Sequence, residues 1–239
     1  MASPGEAPVA GELPYLLNQA TQKLYVTNAF RITGLSISAT DREIARLAEK
    51  IKVEEKLGRE VGALSEVLPL EPPPRTDAIR DAAHRLRDPE KRLIEEFFWV
   101  WPDPVEQGTE DKGLRALKTG KVYAALAHWR LCAQRTEPDP IAVHNLAVVS
   151  HLVALDHENG TPPPPAPGLL AANPTALWKA SIGYWRQLLG LQTFWALFAA
   201  RITLRDEQLH PEARNCPHGR NTSLLLSLRE LETRFQRKK

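Results

Sequence analysis

The sequence is poor in the features that mark secreted, membrane-spanning and disulfide-rich proteins. It has two cysteines, Cys132 and Cys216, which are too few for a disulfide framework. It has no apolar run of the roughly 18 residues that a membrane span needs, and its most apolar stretch, 188–200, is short and flanked by arginines. Residues 1–6 lack the charged start of a secretory signal. We therefore expect a cytoplasmic protein with no membrane partner.

The sequence also lacks a strong net charge. The total is +2, so no overall field steers the protein onto nucleic acid. Residues 201–239 depart from this balance, because they hold nine lysines and arginines against five acidic residues. A basic tail of this kind is most often a solvated end, and nucleic acid is not expected as a partner. A nucleic-acid-associated subunit that uses the tail stays open as an alternative.

Motifs for catalysis are missing as well. There is no Gly-x-Gly-x-x-Gly, Walker loop or Gly-x-Ser-x-Gly pattern. The histidines are scattered; His144 and His151 share one helical face, and Cys216 with His218 supplies two ligands of a tetrahedron that nothing nearby completes. We predict that the protein is not an enzyme and that it uses no metal and no cofactor.

What the sequence does contain is helical periodicity between proline-rich breaks. Twenty prolines cluster where apolar patterns stop, which marks helix boundaries. Between the breaks, apolar residues recur at the spacing of amphipathic helices, and alternating strand patterns are nearly absent. The sequence predicts an all-α fold with helical segments at 41–57, 76–101, 112–135, 141–157, 176–189, 191–204 and 222–236.

The breaks divide the chain into five parts. We predict an N-terminal extension at 1–25, a helical module at 26–102, a second helical segment at 103–160, a proline-rich linker at 161–175, and C-terminal helices with the basic tail at 176–239. The linker is prone to polyproline II structure. We expect it to serve as a spacer between helices. The alternative is that it binds a domain that recognises proline-rich segments.

Two motifs in the first module carry a family resemblance. In residues 28–44 the Gly34-Leu35 pair is followed by Thr40, which is suited to cap a helix with Glu43. Residues 86–92 read Leu-Arg-Asp-Pro-Glu-Lys-Arg, in which Asp88-Pro89 is expected to end one helix and begin the next. In type and order these stretches resemble the opening of a J domain and the end of its third helix. The resemblance covers about 26–99 and implies a J-like helical fold with an Hsp70 as partner.

One departure from that family bears on function. A J domain that stimulates Hsp70 carries His-Pro-Asp between its second and third helices, whereas the corresponding stretch here, 58–76, contains Pro72-Pro73-Pro74-Arg75 instead. The resemblance therefore implies a degenerate module that keeps the fold and has lost the stimulation. A helical hairpin whose caps agree by coincidence is the alternative.

The second segment carries a different resemblance. Residues 120–129, with Gly120 followed by an Ala-Leu pair and Trp129, are similar to the second half of a tetratricopeptide repeat, and 142–147 are similar to the first helix of the next. The likeness covers 112–157, which is fewer than the three repeats of an independent solenoid. In that family an asparagine on a first helix binds a partner peptide, and Asn145 fits the position. A capping or solvent-facing asparagine is the alternative.

Aromatic residues supply the remaining candidates. The run at 97–102 is typical of a core or of an interface between modules, with an exposed partner-binding patch as the alternative. A second group recurs at helical spacing between 178 and 198. We take as candidate protein-binding residues Asn145, Trp99, Trp101, Trp185 and Trp195.

These features together favour a function in protein interaction. We predict an adaptor or co-chaperone-like scaffold that binds a protein partner, with an Hsp70 or a larger complex as candidates. A structural subunit of a multi-protein bacterial assembly is the alternative from another class.

Overall fold

The computed structural model describes residues 21–59, 61, 64–102, 111–162 and 173–209. This part of the protein is built of helices and contains no strand, so the predicted all-α fold class is confirmed. The helices are α1 (Lys23–Val26), α2 (Ala29–Thr33), α3 (Asp41–Lys56), α4 (Thr76–Arg85), α5 (Pro89–Phe97), α6 (Lys112–Lys118), α7 (Val122–Ala133), α8 (Pro140–Glu158), α9 (Pro174–Gly190) and α10 (Gln192–Leu209).

Helix starts follow the capping chemistry of the sequence. The Thr40 hydroxyl accepts a hydrogen bond from the Glu43 amide, and the Thr40 amide donates to the Glu43 carboxylate at 2.7 Å. The predicted capping box is therefore confirmed. Three further helices, α5, α8 and α9, begin at an Asp-Pro or Asn-Pro pair whose side chain accepts from the first turn. Proline fits there because the first turn needs no amide donor.

In the N-terminal half, α3 and α4 form a helical hairpin, and α4 packs on α2. The core of this half includes Phe30 from α2, Ile44 and Ile51 from α3, and Ile79 from α4, none of them more than 1% exposed. Glu55 near the end of α3 pairs with Arg80 near the start of α4 at 3.0 Å. The burial agrees with the amphipathic pattern of the sequence. A specifically J-domain arrangement stays a prediction.

The carboxylate of Glu95 ties the short α2 to α4 and α5. Its Oε2 accepts from the Ala29 amide at the start of α2 at 2.8 Å, and its Oε1 accepts from Arg85 Nε at 2.8 Å. The Glu95 backbone carbonyl also accepts from the Asn28 side chain. A carboxylate at a helix N-terminus is favourable because the amides there are otherwise unpaired.

In the C-terminal half, α8 is the central helix. Every side chain from Ile141 to Ser150 is buried, and α7 and α9 both pack against it. A helix that is covered on all sides shows no apolar stripe, which is why its sequence is apolar almost throughout. Under it, α6 approaches α7 closely at Gly113, where a Cβ atom would lie 2.3 Å from the Trp129 ring.

Some boundaries differ from those predicted. The segment predicted at 76–101 is divided into two helices at Asp88-Pro89, as that pair predicts, whereas residues 98–101 leave α5 because the backbone of Trp101 bonds to a side chain of α8. The segment at 112–135 is divided at Gly120, whose φ is +72°. Helix α1 lies partly inside the predicted extension 1–25. The helix predicted at 222–236, most of the linker 161–175 and the basic tail beyond 209 lie outside the described residues.

Within the described part of the chain, no helix is both long enough and apolar enough to cross a bilayer.

We predict that Gly34→Ala destabilises the protein more than Gly120→Ala does. Both glycines have positive φ, +66° and +72°, so both variants bear the left-handed backbone cost of about 1–2 kcal/mol. Only at Gly34 does the added Cβ also meet a neighbour, the Leu64 carbonyl oxygen at 2.2 Å. We expect this contact to add about 1–3 kcal/mol.

Urea unfolding of the two variants beside the parent measures the difference. Equal losses of unfolding free energy would contradict the close packing of residue 64 on the end of α2.

Candidate functional site

The two halves meet where the chain leaves α5 and Trp101 packs against α8. The side chain of Asn145 on α8 bonds to both backbone groups of Trp101: its Oδ1 accepts from the amide at 2.8 Å and its Nδ2 donates to the carbonyl at 2.8 Å. Both residues are buried. A backbone that turns into a core needs partners for its polar groups, and one amide side chain supplies both.

The indole of Trp101 is enclosed by rings and a cation. Its centroid lies 4.4 Å from that of His144 and 5.9 Å from that of Phe194, and the Arg201 guanidinium lies 4.2 Å above it. Its Nε1 donates to the Glu96 carbonyl at 2.7 Å. Because aromatic packing, a cation–π contact and a hydrogen bond all act on one ring, its orientation is fixed.

Beside the indole lies an ionic group formed by the buried Arg92 and Glu96 and the half-buried Arg201. Glu96 accepts from Arg92 Nε and from Arg201 Nη1, each at 3.0 Å. Arg92 Nη2 also donates to the Ile37 and Ala39 carbonyls in the loop before α3. A buried carboxylate is tolerated only with such partners. The group therefore connects that loop, α5 and α10.

His144 lies inside the cluster as a neutral ring. Its Nε2 donates to the Phe97 carbonyl at 2.9 Å, since a carbonyl can only accept. Burial lowers the pKa of His144 from 6.5 to about 4, against the raising effect of the Phe97 carbonyl. The imidazole therefore acts as an aromatic packing element with one fixed tautomer.

Two turns further along α8, His151 joins α8 to α1 and α9. Its Nδ1 lies 2.9 Å from the Tyr25 hydroxyl, and its ring packs edge-on against Trp178 at 5.5 Å. Burial lowers the pKa of His151 to about 4 and raises the pKa of Tyr25. Both groups are therefore uncharged near neutral pH.

The structure places the predicted protein-binding residues in two environments. Trp99, Trp101 and Asn145 are buried, and Trp185 and Trp195 are half-buried. One aromatic cluster joins Trp101, Asn145 and Trp185. Trp195 donates a hydrogen bond to the Leu189 carbonyl and packs on the edge of that cluster. Asn145 holds the protein's own backbone; binding of a separate peptide by it stays a prediction.

Several residues of the junction were not found from the sequence. Arg92 and Glu96 stand four residues apart, a spacing that signals an ion pair on a helix, but nothing in the pattern shows that the pair is buried. Arg201, which also pairs with Glu96, is more than a hundred residues away from it in the chain. His144 was considered only as a metal ligand.

No metal site is found in the part of the chain that the structure describes, where no three His, Cys, Asp or Glu side chains converge. Cys216 and His218 lie outside that part.

One edge of the aromatic cluster reaches the solvent and forms what we call the apolar surface. It consists of Ile94, Phe97 and Phe98 on and just after α5, with Trp178, Ile182 and Trp185 on α9. Trp185 joins the two groups, because its ring lies 5.5 Å from Phe97 and 6.0 Å from Phe98. Ile94 is one turn before Phe98 and is 60% exposed; Ile182 is 47% exposed. Exposed aliphatic groups beside half-buried aromatics are typical of interaction sites.

A cleft lies between α3 and α4. This cleft of about 300 Å³ has an aliphatic floor that includes Ile51 and Ala83 and a rim that includes Lys52, Arg80 and Arg87. Glu49 pairs with Lys52 and Glu55 with Arg80, which neutralises part of the rim. The cleft can take an apolar side chain with a neighbouring carboxylate, but its lining holds neither a nucleophile with a base nor a pair of carboxylates.

Comparison with known proteins returns no relative: no family model, no curated protein and no solved structure matches this chain. Any functional conclusion therefore depends on the chemistry of these two surfaces.

We predict that stability falls as the pH is lowered from 7 to 5. The pKa of His144 is about 4 in the folded protein and 6.5 in the unfolded chain, so the unfolded chain binds the proton first. The stability that this group contributes is complete above about pH 6.5 and is lost as the pH falls toward 4. For His144 alone we expect a loss of about 2 kcal/mol between pH 7 and pH 5.

Urea unfolding across this range, with His144→Gln as the comparison, measures the effect. The glutamine keeps a donor for the Phe97 carbonyl but does not titrate, so its stability must change less with pH. An equal slope in both proteins would contradict the buried, neutral imidazole.

Proposed function

We propose that this protein is a non-catalytic adaptor that binds a partner protein through the apolar surface. The single observation that supports this is the exposure of Ile94 on α5 and Ile182 on α9, the two helices that the half-buried Trp185 joins. Large apolar groups gathered at one solvent-facing edge lose contact with water when a partner covers them. A tryptophan at the centre of such a patch is the residue type that contributes most to binding.

The rigidity of the surface favours binding by complementarity. Phe97 and Trp185 stack with an interplanar angle of 20°, and Phe97 also contacts Phe194 and Phe198 behind it. Side chains that are already ordered lose little conformational entropy when a partner binds. The surface thus suits the apolar face of an amphipathic helix, which places a side chain toward it at every third or fourth residue.

The same proposal includes the identity of the first module. We propose that residues 26–102 are a degenerate J-like module and that residues 103–160 are similar to tetratricopeptide repeats, which makes the protein co-chaperone-like. An Hsp70 or a subunit of a larger complex are then the candidate partners, and the cytoplasm is the expected location. A partner that co-purifies at fixed stoichiometry would favour the structural-subunit alternative. For nucleic acid, no described residue offers support.

We predict that Ile94→Asp combined with Ile182→Asp abolishes partner binding. Each carboxylate would have to be desolvated in an apolar interface, which costs several kcal/mol. Both side chains are exposed, so the fold should tolerate the changes. Leu131→Asp is the matched control, because Leu131 is 70% exposed on α7 and lies outside the apolar surface.

The measurement is quantitative mass spectrometry of proteins captured from the native lysate by the parent, the double variant and the control. We expect a set of proteins that the double variant loses and the control keeps. If both variants capture the same proteins as the parent, the apolar surface is not the binding site.

We also predict that the protein does not stimulate an Hsp70 ATPase. The stretch between α3 and α4 lacks His-Pro-Asp, so the group that J domains use for stimulation is absent from it. Single-turnover ATP hydrolysis by an Hsp70, with and without excess protein, tests this beside an intact J domain. A rate increase comparable to that of the intact domain would contradict the proposal that the module is degenerate.

A further inference from the structure

We infer that the protein's own segment 222–236 forms an amphipathic helix that docks on the apolar surface. The inference rests on the proposed function to the extent that both use this surface for an amphipathic helix. It goes beyond that function by naming an occupant within the same chain. A partner would then compete with this segment for the surface.

The first argument is the apolar pattern of the segment. Leu224, Leu228, Leu231 and Phe235 recur at spacings of four, three and four residues, which places them along one side of a helix. In such a helix the spacing would place Thr233 on the opposite side. An isolated helix shorter than about 12–15 residues is marginal in water, so a helix of this length needs a surface to cover its apolar side.

The second argument is that α9 presents a matching stripe. Trp178, Ile182, Trp185 and Leu189 follow the same spacing of four, three and four, and none of the four is buried. Trp178 and Trp185 also pack against His151 of α8, so a second helix would meet this stripe from its solvent side, where Ile182 is 47% exposed. The stripe on α9 also continues onto α5. Trp185 contacts Phe98, and Phe98 lies one turn after Ile94.

The third argument is reach. Helix α10 has 18 residues and is therefore about 27 Å long. Its first turn lies beside the apolar surface, since the Phe194 ring is 6.2 Å from that of Phe97. Residues 210–221 can extend by about 40 Å, and Pro211, Pro217 and Gly219 in that stretch disfavour continuation of the helix. The segment can thus run back along α10 and meet α9.

Disulfide formation in the full chain tests the docking. In a Cys132→Ala, Cys216→Ser background, Ile182→Cys is combined with Leu228→Cys, and the matched control combines Ile182→Cys with Thr233→Cys. We expect the first pair to form an intramolecular disulfide under mild oxidation with a yield about tenfold above the control, because only its Cβ atoms can approach within bonding range. Equal yields would overturn the inference, and a cross-linked dimer would overturn it in favour of a second copy.

A second readout does not depend on a cross-link. The thiol of Ile182→Cys in the same background should react with a maleimide about tenfold faster when Leu228→Asp and Leu231→Asp are added, because alkylation then no longer waits for the segment to detach. Thr233→Asp with Gln236→Asp adds the same charge on the other side and should leave the rate unchanged. An unchanged rate in the first variant would overturn the inference.

The two proposals fail separately. If the cross-link forms but no captured protein depends on Ile94 and Ile182, the result contradicts the proposed function and supports the docking. Captured proteins that depend on those residues, without a cross-link, would support the proposed function and overturn the docking.

Discussion

Trp101 stands where the two halves of the protein meet, and the side chain of Asn145 holds its backbone at both polar groups. The rest of the junction follows from this contact. Once the Trp101 backbone is fixed on α8, its indole lies against His144 and under Arg201, and Arg201 reaches Glu96. An unpaired backbone group at this depth would cost about 1–3 kcal/mol. Because the side-chain amide of Asn145 pairs both groups, the chain can turn inward here.

This arrangement explains how the protein presents a defined surface. The buried aromatic rings position Phe97 and Phe98 against Trp185, and the solvent-facing edge of that packing is the apolar surface. Because the interior contacts fix the rings, a partner helix or the chain's own segment would meet a preformed shape. The same cluster that stabilises the junction thereby creates the site that we propose for binding.

Local signals in the sequence predicted local structure well and long-range structure poorly. The Thr40–Glu43 capping box and the Asp88-Pro89 helix start depend on neighbouring residues, and the structure confirms both. The burial of Glu96 and its pairing with Arg201 depend on helices far apart in the chain, so no spacing rule could show them. The sequence predicts that Asn145 binds a partner peptide; in the structure its side chain bonds to the protein's own Trp101 backbone, a pairing that tertiary packing decides.

The central claim is that the Asn145–Trp101 contact couples the two halves, and native-state hydrogen exchange tests it most directly. In Asn145→Leu, the Trp101 amide and carbonyl lose their partner, so the account predicts that the amides of Ile51 in α3 and Val149 in α8 both exchange with a free energy lowered by about 2–4 kcal/mol. Loss of protection at Val149 with no change at Ile51 would contradict it.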